Sequence, residues 1–191
     1  MARCTPMPSD DLRFETERLV MRTPHDDMAG ALVEYGRRNK GHFAASGPLV
    51  TTEATEEQTL RSLRDGQAEL ASGAGVRWYL FERNKPSGEI IGNITFSNIV
   101  RGVFLAAHLG YRIDHRFEGR GLMTEGLLRA IAWAFDESKL HRLMANYVPT
   151  NERSGKVLRR LGFVVEGYAR DYLYLEGRWK DHVLTSLVKA P

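Results

Sequence analysis

The run Arg116-Phe117-Glu118-Gly119-Arg120-Gly121-Leu122-Met123-Thr124 is the stretch of this chain best suited to hold an anion. It follows a strand-like segment and opens a helix-like one. Two glycines one residue apart let the backbone turn sharply and come close to a ligand. The free N–H groups of a helix start then face the anion, here a pyrophosphate. A nucleotide-hydrolase phosphate loop needs G-x-x-x-x-G-K-[ST], and that lysine and hydroxyl are missing. A dinucleotide fingerprint needs a third glycine where Thr124 stands. An ordinary strand-to-helix turn is the competing reading of a bare G-x-G. The surrounding order argues for a site: strand, R-x-x-G-x-G, amphipathic helix, strand, then Asn151-x-x-Ser154 at a second helix start.

Hydrophobic patterning supplies the elements that must hold these residues. Residues 16–22 read as a first strand, ended by Thr23-Pro24. Asp26 and Asp27 suit a helix start, with Met28, Leu32 and Tyr35 near helical spacing. Residues 36–47 read as irregular. Thr52 or Thr55 caps the next helix, and Thr55 with Gln58 has the form of a capping box. Leu60, Leu63 and Leu70 form its stripe, and Ala71-Ser72-Gly73 ends it. Residues 78–83 and 89–96 read as two strands of a hairpin turning at residues 84–88. Residues 97–102 read as a loop and 104–113 as a strand. Thr124, Leu128, Ile131 and Phe135 share one helix face. Residues 142–148 form a strand that stops at Pro149, and 151–161 a short helix capped by Gly162. Residues 168–175 and 178–188 flank the turn Glu176-Gly177. The order calls for an α/β protein, one mixed sheet with helices on its faces.

Composition sets bounds on function. The chain has 191 residues, 42% hydrophobic and 27% charged, enough for one large solvated domain. We read residues 1–12 as a loose tail and 13–189 as a single domain. A net charge of +3 is too small for a dedicated nucleic-acid binder, so no specific DNA binding is expected. The single cysteine, Cys4, reads as an unpaired tail thiol, which points to a reducing, cytoplasmic setting. No stretch reaches the roughly 20 apolar residues of a membrane span, and no signal-peptide core opens the chain.

Arg116-x-x-Gly119-x-Gly121 resembles the coenzyme A pyrophosphate loop of the GCN5-related N-acetyltransferases (GNAT). The resemblance runs from about residue 14 to about residue 188. Glu17-Arg18-Leu19, residues 96–102 (FSNIVRG), 141–147 (HRLMANY), 151–155 (NERSG), 161–163 (LGF) and 166–172 (EGYARDY) are similar to its ribosomal-protein-alanine N-acetyltransferase (RimJ-type) branch. The resemblance implies the acyl-CoA N-acyltransferase fold: a central, mostly antiparallel sheet with flanking helices and one splayed strand pair. It implies acetyl-CoA as cosubstrate and no metal. The cleft is expected where the strand ending near Ile113 leaves the strand ending near Val148. Backbone groups of Tyr111, Arg112 and Ile113 would pair with the pantetheine arm. N–H groups of Phe117, Glu118, Gly119, Arg120, Gly121, Leu122 and Met123, ahead of Thr124, would hold the pyrophosphate. Arg116 and Arg120 would add charge, with the Glu118 carboxylate turned away.

The implied reaction moves an acetyl group from sulfur to a neutral amine. An α-amine has a pKa near 8, so about a tenth is neutral at pH 7, far more than of a lysine. The resemblance sets Ser154 beside the coenzyme sulfur, as acid or thiolate stabiliser. Asn151 would hold the pantetheine or the serine; helix capping is the competing reading of both residues, and one residue can do both. Asn146 would orient the thioester or the amine. Lys156 and Arg159 would reach the coenzyme phosphates. His108 is the expected base, where many relatives carry a glutamate. Water, Asp171 and Tyr172 are the alternatives. Phe96, Asn98, Tyr172, Trp78 and Trp179 would wall the acceptor site, and Asn98, Asp171 and Tyr172 would supply its polar groups. The implied acceptor is the N-terminal alanine of small-subunit ribosomal protein S5, with association to the ribosome, on a monomer or small dimer.

Two other functions fit the same residues. One keeps the fold and acetylates a small amine such as a polyamine or aminoglycoside. Such polycations call for an acidic cleft, and the acceptor segments carry chiefly Glu166 and Asp171. The other is a non-catalytic ribosome- or RNA-associated factor using basic clusters such as Arg37-Arg38-Asn39-Lys40.

Overall fold

Eight strands form one sheet in the computed structural model, in the order β1-β2-β3-β4-β5-β6-β8-β7. They are β1 (Arg13–Glu15), β2 (Leu19–Arg22), β3 (Val76–Glu82), β4 (Gly92–Val100), β5 (Ala106–Ile113), β6 (Arg142–Met144), β7 (Val164–Leu175) and β8 (Arg178–Val188). The helices are α1 (Ala29–Arg38), α2 (Lys40–Ala44), α3 (Glu56–Ser72), α4 (Leu122–Ala132) and α5 (Glu152–Arg160). Only β5 and β6 run parallel; the other neighbours are antiparallel. The structure describes residues 11–44, 54–175 and 177–190. The expectations for Cys4, Gly47, Thr52, Glu176 and nearly all of the tail lie outside them. Among the described residues no helix is long and apolar enough to cross a membrane.

The strict alternation of side chains along a strand builds two cores. On β3, Trp78 and Leu80 pack with α4, while Tyr79 and Phe81 pack with α1, α2 and α3. Trp133, in a π-helical turn that extends α4, meets Trp78 edge-on at 5.1 Å and stacks with Phe96 at 6.1 Å. Burying such rings dominates the energetics of a core of this size. The Thr55–Gln58 capping box forms, and Gly73 ends α3 in the left-handed conformation.

Several local expectations change. Residues 16–22 are not one strand: the Thr16 N–H donates to the Leu19 carbonyl, the Thr16 hydroxyl accepts from the Leu19 N–H, and the chain folds back as a β1–β2 hairpin. Residues 36–44 are helical, because buried Asn39 bonds the Tyr35 carbonyl and receives the His115 N–H between α1 and α2. Residues 97–100 continue β4 through a bulge, with Asn98 left-handed at φ 50°. β7 begins earlier, at Val164, and β6 stops at Met144. The domain edge also shifts: Leu12 is buried, and its carbonyl accepts from Trp78 Nε1 at 3.2 Å.

Candidate active site

The sheet opens where its single parallel pair ends. β6 follows β5 only through Ala106–Arg142, Ala107–Leu143 and His108–Met144. Beyond that the chain stays with β8: the Ala145 N–H donates to Thr185 O at 3.0 Å, and Tyr147 and Val183 exchange both backbone bonds. Asn146 holds this departure, accepting from the Thr185 N–H at 3.2 Å and donating to the Tyr172 hydroxyl at 3.0 Å. The β5 edge from Leu109 to Ile113 is thus left without a strand partner on that side.

A groove of about 360 Å³ runs from this opening to the start of α4. Tyr111, Arg112, Ile113, Phe117, Glu118, Gly119, Gly121, Leu122, Met123, Thr124, Asn151, Ser154 and Lys156 line it. Gly119 and Gly121 both have positive φ, 72° and 76°, a conformation that favours glycine. Gly121 caps α4 with no side-chain hydrogen bond, so the first-turn N–H groups are left for a ligand. The site therefore fits a pyrophosphate held by backbone dipoles.

Two expected arginines do not line this groove. Arg116 is drawn to Glu89 and to Asp114, whose carboxylate accepts its backbone N–H at 2.9 Å and its Nη2 at 3.1 Å. Asp114 is fully buried and also takes Arg38 Nε at 2.6 Å. Burial alone raises a carboxyl, but the bonds from Arg116 and Arg38 outweigh it and hold Asp114 far below its usual range. Arg116 thus anchors the loop rather than a phosphate. Arg120 lies over the Phe117 ring, 5.0 Å from its centroid, and its carbonyl accepts from Arg18. The basic residues that line the groove are Arg112 of β5, Arg153, Lys156 and Arg160 on one side of α5, and His42 of α2. Arg159 is off that face. The Glu118 carboxylate is engaged by His42 at 3.1 Å and by Arg153.

Ser154 stands at the inner end of the groove. Asn151 Oδ1 caps α5 by accepting the Ser154 N–H at 3.1 Å. The Ser154 hydroxyl lies 2.7 Å from the Tyr111 hydroxyl. Sequence reasoning used Tyr111 only for its backbone; the tyrosine that meets Ser154 comes from a strand 43 residues away. Burial pushes the Tyr111 hydroxyl up to about 12, though the Ser154 bond works the other way.

A second cavity, of about 690 Å³, shares Tyr111, Arg112, Asn151 and Ser154 with the groove and extends over the other face of the sheet. Its walls include Tyr35 and Arg37 of α1, Gln58 and Ser62 of α3, Arg77 of β3, Thr95 of β4, Asn146, and Leu173 and His182 of the C-terminal hairpin. No carboxylate is among its described lining residues. Tyr172 borders it through Asn146. Five acceptor-site expectations are corrected. Phe96 and Trp78 are fully buried in the α4 core. Asn98 is exposed at the β4 bulge, and Asp171 is exposed at a β7 irregularity, its N–H bonded to Asp181. Trp179 is exposed beside Tyr174. His108 shares a β5 face with Gly110 and Arg112, yet lines neither cavity, and its buried Nδ1 has no partner. The imidazole that does line the acceptor cavity is His182, which the sequence reading passed over.

Comparison with known proteins places these features. The chain is 43% identical over 176 residues to the ribosomal protein uS5-alanine N-acetyltransferase of Escherichia coli K12, covering 92% of this chain and 90% of that protein. A solved ribosomal-protein-S5-alanine acetyltransferase from Vibrio fischeri superposes with a TM-score of 0.85 at 36% identity, covering 93% of this chain and 97% of that one. A structure of the ribosomal L7/L12 α-N-protein acetyltransferase RimL in complex with coenzyme A shares the fold, with a TM-score of 0.84 at 22% identity, over 93% and 98% of the two chains. Residues 18–164 match the acetyltransferase (GNAT) domain family. With the R-x-x-G-x-G loop at the start of α4 and the parting of β5 from β6, the chain belongs to the GNAT acetyltransferases.

Proposed function

We propose that this protein transfers the acetyl group of acetyl-CoA to an N-terminal α-amine, that of an alanine on ribosomal protein S5. The observation that carries the reading is the meeting of the two cavities at Tyr111 and Ser154. A donor in one and an acceptor in the other approach each other at a single point, which suits direct attack without an acyl-enzyme. The activity named for the Escherichia coli and Vibrio fischeri relatives supports alanine of S5 as acceptor.

The chain's residues divide the work. The uncapped start of α4 holds the pyrophosphate, and Lys156, Arg153 and Arg160 add charge beside it. The open edge of β5 at Tyr111, Arg112 and Ile113 pairs with the pantetheine arm. Acetyl-CoA supplies the activated acyl group. Ser154 donates a hydrogen bond toward the sulfur as charge develops there, with Asn151 fixing the turn that carries it. Asn146, held by Thr185 and Tyr172, orients the reacting groups.

The acceptor cavity argues against a polycation. Arg37, Arg77 and Arg112 line it and no described carboxylate does, so a polyamine or aminoglycoside would meet like charge without compensation. A peptide brings a single amine, partly neutral at pH 7. The test is acetyl transfer to peptides beginning with alanine, serine or methionine, to a blocked peptide with an internal lysine, and to spermidine. We expect the S5-type alanine peptide to have the highest kcat/KM. Turnover of spermidine without turnover of the alanine peptide overturns the reading.

A further inference from the structure

One imidazole in the acceptor cavity is held in a defined tautomer. His182, on β8, is 3% exposed and belongs to the cavity wall. Its Nδ1 lies 3.0 Å from the Lys180 carbonyl oxygen. A carbonyl can only accept, so Nδ1 carries a hydrogen whether the ring is neutral or charged. In the neutral ring the lone pair is then on Nε2. Holding one ring nitrogen by a backbone or carboxylate acceptor is how a histidine base is aimed with the other. The ring packs 5.2 Å from that of Tyr172, whose hydroxyl is bonded to Asn146. His182 is thereby tied to the wall at which β6 leaves β5.

We propose that His182 is the general base of the transfer, taking the acceptor amine's proton on Nε2. The assignment rests on the acetyltransferase reading and adds the identity of the base. As the amine nitrogen bonds to the thioester carbonyl carbon, the C–S bond breaks and its electron pair leaves on sulfur. The surplus proton on nitrogen passes to Nε2, giving an imidazolium with hydrogens on both nitrogens. The imidazolium returns that proton to solvent, and the thiolate takes one from solvent.

The groups around the ring leave the role to it. Asp181, next on β8, accepts from the Tyr168 hydroxyl at 2.6 Å and the Asp171 N–H at 2.9 Å. Tyr172 faces it from β7. Across the cavity the charged groups are Arg37 of α1, Arg77 of β3 and Arg112 of β5, none of them a base. His108 stands outside the wall.

The experiment is the pH profile of kcat at saturating acceptor, where the ionisation of the free amine does not enter, for His182→Asn on whichever acceptor the wild type acetylates. Asparagine keeps a donor near the Nδ1 position and lacks Nε2. His182→Gln repeats the measurement where the first variant does not fold. We expect kcat at pH 7 to fall about a hundredfold and the acidic limb of its profile to vanish. KM for acetyl-CoA should stay within about twofold, because the groove does not include this residue. A wild-type rate overturns the proposal. So does a slower enzyme with its acidic limb intact, since a structural role lowers the rate alike at every pH. Loss of the limb in His108→Asn, with His182→Asn retaining it, returns the role to His108 and also overturns it. Failure on the alanine peptide with turnover of another amine overturns the acceptor assignment alone, and the His182 profile is then read on that amine.

Discussion

Ser154 and Tyr111 show how magnitudes choose between two kinds of help for a leaving group. A thiol has an ordinary pKa near 8.5, whereas the Tyr111 hydroxyl is pushed up to about 12. Moving a proton from Tyr111 through Ser154 to the thiolate is uphill by more than three units, about 5 kcal/mol. Full proton donation loses to hydrogen bonding. In the proposed reaction the pair would stabilise charge on sulfur: with Tyr111 as donor to the Ser154 oxygen, the serine hydrogen is free for the groove. Ser154→Ala should therefore lower kcat by about ten- to a hundredfold and leave KM for acetyl-CoA near its original value. Steady-state kinetics with acetyl-CoA varied checks this; an unchanged kcat removes Ser154 from the chemistry.

Asp114 makes the opposite point about an obvious charged residue. Arg116 opens the loop motif, yet its guanidinium serves Asp114 and Glu89. The folded carboxyl of Asp114 is held below its unfolded value near 3.9, so the folded state binds this proton less readily. The stability it contributes is present above that value and is lost as pH falls below it. Asp114→Asn should cost about 3 kcal/mol at pH 7, because it leaves Arg38 and Arg116 facing a neutral partner. The loss should shrink below pH 4, as followed by urea unfolding across pH.

At the scale of elements, the start of α4 is the part where backbone conformation is the function. Glu125 ties this turn to the β1–β2 hairpin, accepting from the Thr16 hydroxyl and from the Arg18 N–H at 2.8 Å and Nε at 2.7 Å. Gly121 sits at φ 76°, where a side chain costs about 1–2 kcal/mol. Gly121→Ala should raise KM for acetyl-CoA several-fold more than it lowers kcat. Equal losses in both would show that the loop acts on the chemistry rather than on donor binding. This element was legible in the sequence because both of its left-handed positions, 119 and 121, are glycines. The Thr55–Gln58 box was legible too. Residues 36–44 and 97–100 were misread because their conformation is set by distant partners, His115 for the α1–α2 junction and β5 for the β4 bulge.

The donor groove joins four separate parts of the molecule: α2, the β5 edge, the start of α4 and one face of α5. A ligand bound there bridges elements that unfold together, so acetyl-CoA should raise the unfolding free energy. Above its Kd, each tenfold increase in ligand should add about 1.4 kcal/mol. Thermal unfolding at a series of acetyl-CoA concentrations measures this, and a midpoint that does not move would argue against the groove as the donor site. The acceptor cavity is also assembled across the molecule, from α1, α3, α5, strands β3, β4 and β5, the segment after β6 and the C-terminal hairpin.

The sequence by itself determined the donor side. The glycine run, the caps at Asn151 and Gly121, and the order of strand, loop and helix are local features. The backbone N–H groups they present do not depend on which side chain lies across the sheet. Tertiary structure alone decided the acceptor side and the partners of the reacting groups. Tyr111 reaches Ser154 over 43 residues and Asn146 reaches Tyr172 over 26, and neither pairing has a sequence signature. Strand register assigns each side chain to one face or the other, and a shift of one residue exchanges them. That is why Phe96 faces the α4 core and His182 lines the cavity.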